Sequence, residues 1–173
     1  MAYSSSLTGR ALTCYDQLGG IKQCYIAALD QVTPGAYSAG AIADFNAADT
    51  FKGYKVKYNS SSMTETVTAN TEAGTVFFST TVSLTFYKPD AGLGTEINLL
   101  TSAPLCLVVV DNNDNERVVG FSNGAYMSGG TMTTGQALGD AQTYTLEFTA
   151  EETKPSPFLT TAISASSATF SQV

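Results

Sequence analysis

The chain has no histidine and no tryptophan, and it carries few charges of either sign: eight lysines and arginines against fifteen aspartates and glutamates in 173 residues. Without imidazole, neither a Ser-His-Asp nor a Cys-His site can be built from this sequence, and the commonest metal ligand is missing. Ser-Lys and carboxylate-pair chemistries stay open as types, but no spacing assembles one. No Gly-rich run joins a strand to a helix and no GKS or GKT follows one, so a phosphate loop is excluded. A net charge of −7 lacks the basic footprint of a nucleic-acid binder. Only Lys52, Lys55 and Lys57 cluster, and they read as a solvated outer face.

Cysteine is scarce too. Cys14, Cys24 and Cys106 form no CxxC pair, and an odd number at irregular intervals is no disulfide framework. Cys24 and Cys106 sit in apolar runs and read as buried free thiols, although the redox state of the three is left open. The longest apolar run, Leu105 to Val110, is far too short to span a membrane. The first residues show neither a basic nor an apolar region of a signal peptide. The expectation is a product made in a reducing cytoplasm, with no membrane partner.

What is abundant is Thr, Ser and alternation. In Thr75 to Tyr87, Val76, Phe78, Thr80, Val82, Leu84 and Phe86 fall on one side of a strand. Phe77, Ser79, Thr81, Ser83, Thr85 and Tyr87 fall on the other. At about 3.3 Å per residue the strand would reach roughly 43 Å, which calls for partners along both edges. Gln142 to Ala150 repeats the pattern. The charged share of 13% is about half the usual, so much of the surface must be hydroxyl, amide and small apolar groups. Such a surface packs against a neighbouring subunit without desolvating many charges, which favours assembly over a monomer.

Along the chain, the polar stretch 1–20 reads as an N-terminal arm and Ile21 to Leu29 as the first strand, apolar on both faces. A Gly/Ala/Ser loop follows, and Ile42 and Phe45 could use one helical turn. Phe51 to Asn59, Met63 to Asn70 and Thr75 to Tyr87 predict a three-strand antiparallel meander. Leu93, Ile97 and Leu100, with Pro104 beyond, predict the one helix, at about 93–102. Leu105 to Val110 reads as a buried strand whose hairpin partner is Glu116 to Phe121. Ala125 to Thr133 is the next strand, where Gly129-Gly130 should make a bulge or a close backbone contact. Asp111, Asn113 and Asn115 copy the first half of a calcium loop. Glu116 stands where its Gly is needed and Ser122 where its Glu is needed, so a plain turn is the better reading. The prediction is one domain over 1–173, mainly β, as an antiparallel barrel or sandwich over 21–151. The tail 152–173 reads as a loose C-terminal arm that orders on a neighbour.

Three short segments resemble structural proteins of tailed bacteriophages, most nearly the tail tube class. They are Val108-Val109-Val110-Asp111-Asn112, Asn123-Gly124, and Gly135-Gln136-Ala137-Leu138-Gly139-Asp140 before Tyr144-Thr145-Leu146-Glu147-Phe148. The resemblance spans about Gly20 to Glu151. It implies a protomer that self-assembles into rings, usually hexameric, that stack into a virion tail tube beside other tail proteins. DNA would be passing cargo only, and an acidic lumen would repel it. The expected function is thus structural and non-enzymatic, with no catalytic, cofactor or metal residue. The alternatives are a phage capsid decoration or tail adaptor protein, and a carbohydrate-binding β-sandwich. A sugar binder would lack Trp platforms and depend on Tyr3, Tyr15, Tyr37 or Tyr126.

Overall fold

The structure is a computed structural model that describes residues 17–57, 59–88 and 91–172. In chain order the strands are β1 (Ile21–Ala28), β2 (Tyr37–Ser38), β3 (Ala41–Ile42), β4 (Thr50–Lys55), β5 (Ser62–Asn70) and β6 (Thr75–Tyr87). The helix α1 (Ala91–Leu100) follows. After it come β7 (Leu105–Asp111), β8 (Glu116–Val119), β9 (Ala125–Thr133), β10 (Thr143–Glu152), β11 (Phe158–Leu159) and β12 (Thr169–Gln172). The protein is mainly β, with one α-helix among the described residues.

The pairings trace two layers. Sheet one runs β12-β4-β1-β7-β8-β11-β3-β2, and sheet two runs β5-β6-β10-β9. Among the described residues the strand ladders of the two layers meet only at Leu105 and Ala125, where β7 meets β9. Among the described residues strand β5 pairs with β6 alone, so the sheet stays open on that side and the barrel alternative is not realised. The arrangement is sandwich-like, and it is mixed: β11 runs parallel to β3, and β12 parallel to β4.

Strand β7 shows why its sequence has no polar alternation. Leu105, Leu107 and Val109 enter the core between the sheets, while Cys106, Val108 and Val110 enter a second core on the far side of sheet one. Burial on both faces demands a continuous apolar run. Strand β1 is shared likewise, Cys24 and Ile26 against Tyr25 and Ala27. The predicted β1 faces hold only from residue 23, because a register shift after Ile21 leaves Lys22 unpaired opposite β7 and turns Ile21 to the other core. Cys24 and Cys106 are both buried free thiols, and Cys14 lies outside the described residues.

The expected three-strand meander is corrected. β5 and β6 form a hairpin, but β4 leaves them to lie between β1 and β12. Phe51 is buried in the second core and Tyr54 packs on the first, so β4 needs cover on both faces, which the rim of sheet two cannot supply. The helix starts two residues before its predicted position. Leu100 is buried and Ile97 half-buried over one end of the first core, and the Tyr54 hydroxyl donates to Glu96 at 2.9 Å, clipping α1 to β4.

The loose C-terminal arm is also corrected. Residues 155–172 form a strap across the outer face of sheet one. Leu159 and Ala168 are buried in the second core beside Ile42, Phe45 and Phe51, and Pro157 is fully buried. The strap is apolar because it is the cover that face requires. Of the N-terminal arm, residues 1–16 lie outside the described residues.

Candidate functional site

Sheet two is the part of the fold with something left over. Its inner face packs on the first core through Val82, Leu84, Phe86, Leu146 and Phe148. Phe78 and Tyr144, on the same face, are half-buried. Register fixes what lies on the outer face. Thr64, Thr81, Thr149 and Tyr126 form one row; Ser62, Ser83, Glu147 and Gly129 form the next. Thr66, Ser79 and Glu151 flank them on one side, and Thr85, Thr145 and Thr131 on the other. Ser128 is the extra residue of a β9 bulge, just before Gly129, as that glycine pair predicts. Its hydroxyl accepts from Thr149 at 3.1 Å and donates to the Glu147 carbonyl at 3.2 Å.

The four strands hold four glutamates and no lysine or arginine. Glu147 and Glu151 stand exposed on the outer face. Glu65 and Glu152 face inward and are engaged. Glu65 accepts from the Ser156 amide at 2.7 Å, and Glu152 accepts from the amides of Ser122 and Asn123 at 2.9 Å each. Lys57, from the loop after β4, lies against this face, its ammonium 4.5 Å from the centre of the Tyr87 ring.

Both edges of the sheet are open among the described residues, β5 along its whole length and β9 beyond Ala125. The β5–β6 hairpin also outruns its neighbours. β10 reaches only Phe78, so the ribbon beyond it projects by about 13 Å at 3.3 Å per residue. Val67 at its base and Val76 upon it are 57% and 54% exposed, although both lie on the inward side. No described residue covers them.

The other candidates resolve as structure. Asp111 does close its turn. Burial opposes its charge, but donors from the Asn115 side chain and from the Asn115 and Asn113 amides, at 2.8–2.9 Å, outweigh it and hold the carboxyl below 3.8. Those oxygens face N–H groups, the plain-turn arrangement. No group of three or more metal-ligating side chains converges among the described residues. A groove of about 420 Å³ runs between β5 and sheet one, past Met63, Glu65, Asp111 and Arg117. Arg117 is turned onto Phe158, 4.2 Å from the ring centre. Burial pushes both described thiols up, so they stay protonated. Tyr37 is stacked on Phe121 at 5.6 Å under the Lys154 ammonium, whereas Tyr126 is 56% exposed. Tyr126 borders an open depression with Asn123, Thr149 and Glu151. Tyr3 and Tyr15 lie outside the described residues. Alternation in the sequence already marks the hydroxyl face. It carries no mark of the open edges, which depend on which strands find each other.

No family model matches the chain, and no curated protein or solved structure does. Among the described residues, no helix is long and apolar enough to cross a membrane.

Proposed function

We propose that the protein is a non-enzymatic structural subunit that assembles with copies of itself into stacked rings, in the manner of a tail tube of a tailed bacteriophage. One observation carries the reading: a four-stranded sheet, open at both edges among the described residues, presents a face of hydroxyls and glutamates with no base in any of its strands. The strands alternate in direction, so β9 of one copy runs antiparallel to β5 of the next, and the same joint repeats from copy to copy. A repeated head-to-tail joint of that kind closes into a ring when the rotation closes. Monomers blunt long edges with Lys, Pro or bulges. β5 has no Lys, no Pro and no bulge.

The outer face would then line the ring. Threonine and serine hydroxyls offer no fixed positive charge to phosphates, and Glu147 and Glu151 repel them, so a polyanion passes without being held. The projecting ribbon, apolar on its uncovered side, would seat on the neighbouring ring. Negative-stain microscopy and analytical ultracentrifugation over a wide concentration range test this. Rings or tubes are expected from the intact chain, and fewer from Thr64→Lys with Thr66→Lys, which charges the β5 edge without touching a core. A folded chain that stays monomeric at high concentration overturns the reading.

A carbohydrate-binding reading has one observation in its favour, the Tyr126 depression with its carboxylate, amide and hydroxyl. Saturable glycan binding by a monomer, lost in Tyr126→Ala, would support it.

A further inference from the structure

The two open edges of sheet two carry side chains that match. Register puts Met63, Glu65, Val67 and Ala69 of β5 on the inward side, and Met127, Gly130 and Met132 of β9 on that same side. Val67 is 57% exposed and Met132 53% exposed, although both sit on the side that faces sheet one. Each lies on a strand edge that pairs with no other strand there among the described residues. Extending the sheet from β9 of one copy to β5 of the next keeps the inward sides together, so alternation allows only registers two residues apart. With Met132 opposite Met63, Gly130 falls opposite Glu65 and, with Ser128 again the extra residue, Met127 falls opposite Val67. Both methionines and the valine are then covered. Glu65 meets a residue without a side chain, which leaves its bond from the Ser156 amide undisturbed. A shift of two residues one way sets Glu65 against Met127, and the other way against Met132; either presses apolar surface on a carboxylate. On the outward side the matched register sets Thr131 opposite Thr64 and Thr133 opposite Ser62, which continues the hydroxyl face.

The same register carries a geometry. Within one copy Met127 stands level with Met63, through Phe148 and Val82, so an in-line joint would repeat that pairing without stagger. It would leave Met132 beyond the start of β5 and Val67 beyond the start of β9. A sheet that closes on itself needs a stagger. Moving Met127 from Met63 to Val67 supplies four residues of it for every four strands. At about 3.3 Å per residue and 4.8 Å per strand, the strands would then tilt by about 35°, the lower end of the range in closed barrels. Resting on the head-to-tail assembly, we propose that β9 of one copy joins β5 of the next in this one register, with Met132 opposite Met63 and Met127 opposite Val67.

The test uses the full-length chain with Cys14→Ser, so that the remaining native thiols, Cys24 and Cys106, are buried. Thr64→Cys/Thr131→Cys reports the matched register, and Thr64→Cys/Tyr126→Cys the in-line one. Within one copy each pair lies three strand spacings apart, at least about 14 Å and beyond disulfide reach, so any bridge joins two copies. Assembly is scored first, by microscopy and ultracentrifugation; mild oxidation and a non-reducing gel follow. A ladder of cross-linked multimers is expected from the Thr64/Thr131 variant and little from the other. A stronger ladder from the Thr64/Tyr126 variant, or none from either in a chain that assembles, overturns the register and leaves the assembly standing. Met132→Glu gives a second readout. Its site is more than half exposed in the single copy, so thermal unfolding should be unchanged, whereas assembly should be lost at concentrations where the unaltered chain assembles. Assembly undiminished in Met132→Glu overturns the register. An unaltered chain that never assembles overturns the assembly, and the register falls with it.

Discussion

Leu146 lies on the inner face of β10 opposite Leu84 on one side and Gly130 on the other, and is 1% exposed. Leu146→Ala removes its branch from a core in which one cross-strand neighbour has no side chain to move inward. Leucine-to-alanine changes in cores cost about 2–5 kcal/mol, and more where the hole cannot collapse. The glycine neighbour places Leu146 in the upper part, about 3–5 kcal/mol. For a domain this size that is a fall in Tm of about 6–20 °C. Gly130 also makes the argument two-sided. A Cβ built on it would lie 3.2 Å from Leu146 Cδ2 and 3.1 Å from Met127 Cε, so Gly130→Ala is crowded in the native core. Once Leu146 is shortened, the same methyl occupies part of the vacated space. Gly130→Ala should therefore be less costly, or stabilising, in the Leu146→Ala background, with a coupling of about 0.5–3 kcal/mol. Urea unfolding of the four proteins of the cycle measures it. A Leu146→Ala loss below about half a kcal/mol, or a Gly130→Ala effect equal in both backgrounds, would refute the packing argument.

Deleting residues 155–173 should abolish cooperative unfolding, because it strips Leu159, Ala168 and Phe170 from the second core; thermal unfolding followed by circular dichroism reads this, and a sharp, near-native transition would show that the strap is dispensable. Stability should also fall in acid. At Asp44 burial opposes the charge, but donors from Ser166, Ser167 and Phe45 outweigh it; at Asp140 the amides of Ala137 and Gln136 dominate; both carboxyls, like that of Asp111, are held below 3.8. A depressed folded pKa contributes stability above the unfolded value, near 3.9, that is lost as pH falls through the folded value. These three carboxyls should thus make Tm drop below about pH 4. Asp44→Asn should lower the plateau and flatten the drop, and an unchanged acid limb in that variant would remove Asp44 from the account.

How much of this was legible follows from which interactions are local. β6, β9 and β10 could be read because each has one side in a core and one outside, and period two records that directly. β7 could be read because both its sides are buried. The Lys22 bulge could not, since one unpaired residue changes the face of Ile21 without disturbing composition. β4 was assigned to the wrong sheet for a related reason. Its nearness in sequence to β5 suggests a meander, while the fact that decides against it, Phe51 on one face with Tyr54 on the other, needs knowledge of what covers each face. The strap was the hardest. Leu159, Ile163, Ala168 and Phe170 follow no period because most of the segment is neither helix nor long strand, and an irregular apolar cover reads as a flexible tail until the face beneath it is known.

The candidate site divides along the same line. Its chemistry is local: Ser79, Thr81 and Ser83 on β6, and Glu147, Thr149 and Glu151 on β10, announce a hydroxylic, acidic face by alternation alone. Its openness is not. β5 and β9 resemble any half-buried strand, and they become edges only because β4 goes to the other sheet and β9 touches β7 at a single pair. Among the described residues a nine-residue edge is bare and the apolar side of the ribbon uncovered. A chain that joins copies of itself uses both. Placing β4 in sheet one completes the second core and in the same step leaves β5 paired on one side only among the described residues, so the packing that stabilises the fold also creates the edge through which, in the proposed assembly, a neighbour would pair.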